Sequence, residues 1–157
     1  MAALSSFLSD GRLGLRVDHR RALELARAAA ESGSAHAMHG LAFAYWKGLG
    51  VSQDIEMAAA WWERGAELGD HMAQYHLGLR TLLGEGVPKD LRKGTRWLEQ
   101  SASQGFWAAS LHLARTYDHG WYGVERSTVL ARSWYERAAN LGVAEAKGWL
   151  LAHPARR

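Results

Sequence analysis

The stretch Ala37–Asp54, AMHGLAFAYWKGLGVSQD, returns 36 residues later as Ala73–Asp90, AQYHLGLRTLLGEGVPKD. Leu41 falls on Leu77, Gly48 on Gly84, Gly50 on Gly86, Val51 on Val87 and Asp54 on Asp90. Downstream the same spacing places Ala58 on Gly94, Trp61 on Trp97, Ala66 on Ala102 and Gly69 on Gly105. Coincidences at one fixed period are the signature of a repeat architecture, in which each unit buries its apolar face only against its neighbours.

Working outward, a third copy begins at Ala109, with Leu113, Ala114, Tyr117 and Gly120 in register. One extra residue enters the loop GWYGVERS, and beyond it Ala131, Trp134, Ala138, Ala139 and Gly142 return at a shift of 37. A degenerate copy precedes these, with Gly14, Asp18, Ala22, Leu25, Ala29, Ala30 and Gly33 in matching positions. Ala146 and Leu150 begin a further first helix. One domain over 1–157 is therefore expected: a degenerate repeat at 1–33, full repeats at 37–69, 73–105 and 109–142, and a closing helix at 144–153.

Each unit carries two apolar-periodic segments of helix length. The first ends near a glycine suited to a left-handed cap. The second begins at Asp18, Asp54, Asp90 or Ser127, whose side chains can accept from the orphan amides of a first turn. Helices are expected at Asp18–Ser32, Ala35–Lys47, Asp54–Leu68, Met72–Leu83, Asp90–Gln104, Trp107–Asp118, Ser127–Leu141 and Ala144–Ala152. Small residues (Gly78, Ala114, Ala66, Ala102, Ala139) mark close helix approaches. Trp61, Trp97 and Trp134, at one position of every second helix, are expected to be largely buried. The fold class is all-α, an α-α superhelix.

The run A-x-x-x-L-G/A-x-x-Y-x-x-G-x-G-V-x-x-D, followed by A-x-x-W-W/Y-x-x-A-A-x-x-G, resembles the Sel-one-like repeat, a relative of the tetratricopeptide repeat. Ala37–Gly69 fits closely, Ala73–Gly105 well, and Ala109–Gly142 with its loop insertion. The departures are Thr81 for Tyr, Gly65, Gly94 and Ser101 for Ala, and the loop Trp121–Gly123. The resemblance implies a scaffold or adaptor whose first helices line a concave groove. In this sequence those positions are His36, His39, Phe43, Trp46 and Lys47; then Tyr75, Leu79, Leu82 and Leu83; then Leu111, Arg115, Asp118 and His119, with Phe7 from the degenerate copy. A protein or peptide partner is expected in that groove, anchored by aromatic residues and Arg. The competing reading of the aromatic residues is that they pack between helices. Trp121 and Tyr122 are either a binding element or a plug for the insertion.

Composition narrows the function classes. Of 157 residues, 48% are apolar, which suits a packed domain, and the formal charge of +3 is spread along the chain, so no nucleic-acid partner is expected. There is no cysteine, hence no thiolate site or nucleophile. The family's cysteine-rich members, for which antibiotic binding or hydrolysis has been suggested, are no guide here. His36 and His39 share a helix face, but no H-E-x-x-H or G-x-S-x-G motif occurs, and His76 and His112 stand at equivalent repeat positions. No enzyme activity, metal or cofactor is expected. Met1–Gly11 lacks a positive n-region, and no apolar run approaches a membrane span, so a cytoplasmic location without membrane contact is the expectation. An adaptor and an inhibitor, such as an immunity protein for a toxin, fit these residues equally. A hydrolase or small-molecule binder would need a deep pocket joining several histidines. A homo-oligomer would bury the thin cap formed by Leu4, Phe7 and Leu8.

Overall fold

A computed structural model of the chain describes residues 19–154. Eight α-helices follow one another in this span: α1 His19–Glu31, α2 Ala35–Lys47, α3 Ile55–Glu67, α4 His71–Leu83, α5 Leu91–Ser103, α6 Trp107–His119, α7 Thr128–Asn140 and α8 Ala144–Ala152. A single 3-10 turn, Trp121–Gly123, lies between α6 and α7, and the described residues contain no strand. Every helix bound that can be compared falls within one residue of the expectation from sequence. Asp18, Leu4, Phe7 and Leu8 lie outside the described residues.

Local chemistry explains the bounds. Asp54, Asp90 and Ser127 accept from the backbone amides of Met57, Lys93 and Leu130, which starts α3, α5 and α7. Asp70 and Ser34 do the same for α4 and α2. The first helices stop at Gly48, Gly84 and Gly120, all left-handed (φ 70, 77 and 73°), with their amides donating to the carbonyls of Ala44, Arg80 and Thr116.

Each helix packs on the next, and α2 also touches α4 directly. Between α3 and α5 the contact is a surface ion pair, Lys93 Nζ donating to Glu63 at 3.1 Å. The first helices α2 and α4 therefore meet on one side of the stack, and a ring contact carries that side on to α6, where Tyr75 meets His112 at 6.2 Å. The departures from the repeat pattern have packing reasons. A Cβ on Gly94 would stand 2.7 Å from Leu82 Cγ, and one on Gly78 would stand 2.9 Å from Leu98 Cγ, so α4 and α5 cross where neither can carry a side chain. Ser101 donates its hydroxyl to the His71 carbonyl at 2.6 Å, and Thr81 donates to that of Leu77 at 2.8 Å. Gln104 donates to the Gly69 carbonyl and to the Gln74 side chain, and Gln74 donates to the Ala66 carbonyl, which links successive repeats.

The core position of the second helices is corrected by one residue. Trp61, Trp97 and Trp134 are only partly buried. The following residue points fully inward: Trp62 (0% exposed), Leu98 and Tyr135. One residue is a 100° turn of a helix, and the tandem Trp61–Trp62 offers an indole for either direction. The Arg64 guanidinium covers the outer Trp61 ring at 4.5 Å, and Arg137 covers Trp134 at 5.7 Å.

Candidate functional site

The first helices carry rings that touch one another across three repeats. His36 meets His39 (6.3 Å between centroids), and His39 meets Phe43 (6.5 Å) and His76 (5.3 Å). Phe43 lies edge-on to Trp46 at 5.5 Å, and Trp46 reaches His76 at 6.1 Å. His76 meets Tyr75, Tyr75 meets Phe106 and His112, and His112 meets Trp121 and Tyr122. Helical spacing produces this row: residues three and four apart share a face, and the repeat period carries that face from α2 to α4 to α6.

The row is anchored from below by the core. His76 stacks on the buried Trp62 at 5.0 Å and 11°, and the Trp62 indole N–H donates to His39 Nδ1 at 3.3 Å. Burial lowers the His39 pKa to about 4, that of His76 to about 3 and that of His112 to about 4. All three are therefore neutral rings at neutral pH, and the cations of this stretch are Lys47 and Arg80, both over the Trp46 ring. Burial also raises the Tyr75 phenol, against the opposing charges of Arg80 and Arg115.

Of the residues expected to line the groove, His39, Phe43, Trp46, Tyr75, Leu79 and Arg115 are partly exposed, and Lys47 and His119 are exposed. His39, Phe43, Trp46 and Tyr75 join the ring row. Lys47 caps the Trp46 ring, with Nζ 3.8 Å from its centroid, and His119 meets Trp121 at 5.3 Å. Two of the expected lining residues are corrected. Leu82 (0% exposed) and Leu111 (8%) face inward and belong to the core, Leu82 against the α4–α5 crossing and Leu111 against the α6–α7 cluster. The equivalent of Leu82 in α2 is Trp46, which is partly exposed and lies against the buried Trp62 at 6.0 Å between ring centroids. Asp118 is partly buried and turned toward the closing helix, accepting from the Trp149 indole at 2.9 Å and from the Tyr135 hydroxyl at 3.5 Å. His36 lies at the edge, 3.7 Å from Asp70.

Several participants escaped the sequence reading. Trp62 and Phe106 reach the row from outside the first-helix faces. Arg80 stands where the neighbouring repeats have Ala44 and Thr116, and a cation at a small-residue position was the available signal. The insertion loop folds inward. Tyr122 adopts a left-handed backbone (φ 62°), stacks on His112 at 5.7 Å and shares a 2.6 Å hydrogen bond with His112 Nε2. A non-glycine residue in this region is strained, so ring stacking and the hydrogen bond hold the turn in place. Tyr122 therefore turns in on His112, and Trp121, partly exposed, continues the ring row beside α6.

The arrangement supplies apolar faces, edge-on rings and a few donors. Among the described residues, no group of three or more His, Asp or Glu is placed to hold a metal ion. No helix among them is long and apolar enough to cross a membrane.

In comparisons with known proteins, no curated protein matches significantly. Among solved structures, a Sel1 repeat protein from Oxalobacter formigenes is similar at 29% identity and a TM-score of 0.87, over 95% of this chain and 60% of that one. A protective antigen present in uropathogenic Escherichia coli strains, displaying an SLR fold, is similar at 30% identity and a TM-score of 0.85, over 98% of this chain and 34% of that one. This chain thus spans less than two thirds of the length of either. Sel1 repeats match at residues 1–34, 35–70, 71–106 and 107–143, and with this period, these caps and this stack of helix pairs, the chain belongs to the Sel1 repeat family.

Proposed function

We propose that the chain is a docking scaffold that holds a segment of a partner protein along the first-helix groove, with no catalysis of its own, in the cytoplasm. Sel1 repeat proteins are in general protein-interaction scaffolds. The observation that carries the reading for this chain is the ring row from His39 to Tyr122. Phe43, Trp46, Tyr75 and Leu79 stay partly exposed although the helix pairs behind them already have a closed core of Leu41, Leu77, Leu98 and Leu113. Large rings left partly exposed on helices, with little rotamer freedom to lose, are the side chains that dominate binding energies.

The test is affinity capture of a partner with the full chain, followed by titration against Trp46→Ala and Tyr75→Ala. Loss of about 2 kcal/mol or more of binding in either variant is expected for an anchor residue. A partner that binds both variants as tightly as the parent chain, while losing affinity to changes on α3, α5 or α7, refutes the groove.

A further inference from the structure

Arg92 and Arg96 stand four residues apart on α5, and Lys89 just precedes that helix. All three are exposed, and their side chains have no ion pair, hydrogen bond or ring contact. Cations elsewhere on the chain are committed: Arg115 to Glu145, Arg132 to Glu136, Lys47 and Arg80 to the Trp46 ring, Arg64 to Trp61 and Arg137 to Trp134. On α5 itself Lys93 pairs with Glu63 of α3 at 3.1 Å, and Asp90 accepts from the Lys93 amide as the cap. Burial raises the Glu99 carboxyl, one turn beyond Arg96, and no cation opposes that shift. Arg92 and Arg96 therefore repel each other across one turn, and Arg92 sits in a first turn without an acid, at the positive end of the helix dipole.

The repeat does not call for these charges. Their positions hold Gln53, Glu56 and Ala60 one repeat earlier and Arg126, Val129 and Ser133 one repeat later, and the same helix pair forms in each. Repulsion among the three cations works against the free chain, and an anionic partner relieves it. What surrounds them limits the size of that partner. Glu56 is exposed on α3, at the repeat position of Arg92, and Glu125 is exposed on the loop before α7. A bilayer surface or a nucleic-acid backbone laid across α5 would meet these carboxylates as well. Lys89 and Arg96 are seven residues apart, about 10 Å of helix rise, which matches a few carboxylates on one short segment. Val129, 79% exposed at the Arg92 position of α7, adds apolar surface in the next repeat.

We propose that the start of α5 is a second docking surface, for a short acidic segment of a partner protein whose Asp or Glu side chains pair with Lys89, Arg92 and Arg96. Each guanidinium offers a carboxylate two parallel donors. The surface lies on a second helix, apart from the ring row of the first helices, and does not depend on the groove being a docking site.

The test selects peptides from a random sixteen-residue library displayed on phage against the full chain, with the double variant Arg92→Gln/Arg96→Gln as counter-selection. Neither side chain makes a contact in the fold, so the double variant should melt no lower than the parent chain. Selected peptides are titrated by fluorescence anisotropy at about 0.1 M and about 0.5 M salt. Peptides rich in Asp and Glu are expected, binding the double variant about fivefold or more weakly, and weakening at the higher salt. Arg92→Lys/Arg96→Lys should keep most of the binding, and Tyr75→Ala should leave it unchanged. Vesicles of phosphatidylcholine with one-third phosphatidylserine, and a twenty-base-pair DNA duplex, are titrated beside the peptides. Either of these bound as tightly as the peptides, and lost in the double variant, overturns the proposal in favour of a membrane or a nucleic acid. Peptides that bind the double variant equally well, peptides without an acidic preference, or no selected peptide also overturn it. None of these results bears on the groove, which Trp46→Ala and Tyr75→Ala test by themselves.

Discussion

Replacing Trp62 by Ala removes the largest fully buried side chain among the described residues. Truncating a buried Trp costs about 3–5 kcal/mol, from lost transfer energy and from the cavity left behind. Here the cavity opens under the ring row: His76 loses the indole it stacks on at 5.0 Å, and His39 Nδ1 loses its donor at 3.3 Å. Neither neighbour is long enough to refill the space, so the upper part of the range is expected. In a chain of this size each kcal/mol moves Tm by roughly 3–4 °C, so a fall of about 12–20 °C should appear in a circular dichroism melt. Trp46→Ala is the comparison. That ring is partly exposed and rests on Phe43, Lys47 and Arg80 (ring contact at 5.5 Å, cations at 3.8 and 5.1 Å), so its loss should cost about 1–2 kcal/mol. Trp62→Leu should recover part of the loss, because Leu98 fills the same position in the next repeat. Equal destabilisation by Trp62→Ala and Trp46→Ala would refute the division into an inner indole and a groove indole. So would a larger loss from Trp61→Ala than from Trp62→Ala.

Two further outcomes follow from the packing and the charges. Gly94→Ala should lower the urea midpoint despite the helix propensity of about 1 kcal/mol that it gains, since its Cβ would meet Leu82 Cγ at 2.7 Å and overpacking costs about 1–3 kcal/mol. Gly40→Ala, with nothing within 4 Å, should raise the midpoint through a gain in stability of about 0.5–1 kcal/mol. The two changes having the same sign would contradict the α4–α5 crossing. Acid should weaken the fold: His39, His76 and His112 are held near 4, 3 and 4 while the unfolded rings titrate near 6.5, so the unfolded chain binds the extra protons and stability is lost as pH falls from 6.5 toward 4. Between pH 7.5 and 5 each ring contributes a loss of up to about 2 kcal/mol, and His76→Gln should flatten the slope of urea stability against pH. A wild-type stability that does not change over that interval would show that the rings are open to water.

Much of the architecture is a local matter, and the residues of this chain declare it. The period of 36, the capping residues Asp54, Asp90 and Ser127 and the left-handed Gly48, Gly84 and Gly120 act within one turn of helix, and the helices begin and end where these say. The face of each helix is another matter, because it depends on what the neighbouring repeat presents. Trp61 and Trp62 are equally apolar, and only the stack turns Trp62 in and leaves Trp61 under Arg64. Leu82 and Trp46 share a repeat position, yet the space beside the Gly78–Gly94 crossing admits the leucine, while the indole stays in the groove. Leu111 sits at the position of Tyr75 and is drawn into the α6–α7 core. The Arg80–Glu85 pair beside Trp46 and the inward turn of Tyr122 onto His112 depend on residues from separate elements. A burial decision of that kind balances side-chain volume against a cavity built by several helices, and only the assembled tertiary structure contains that cavity.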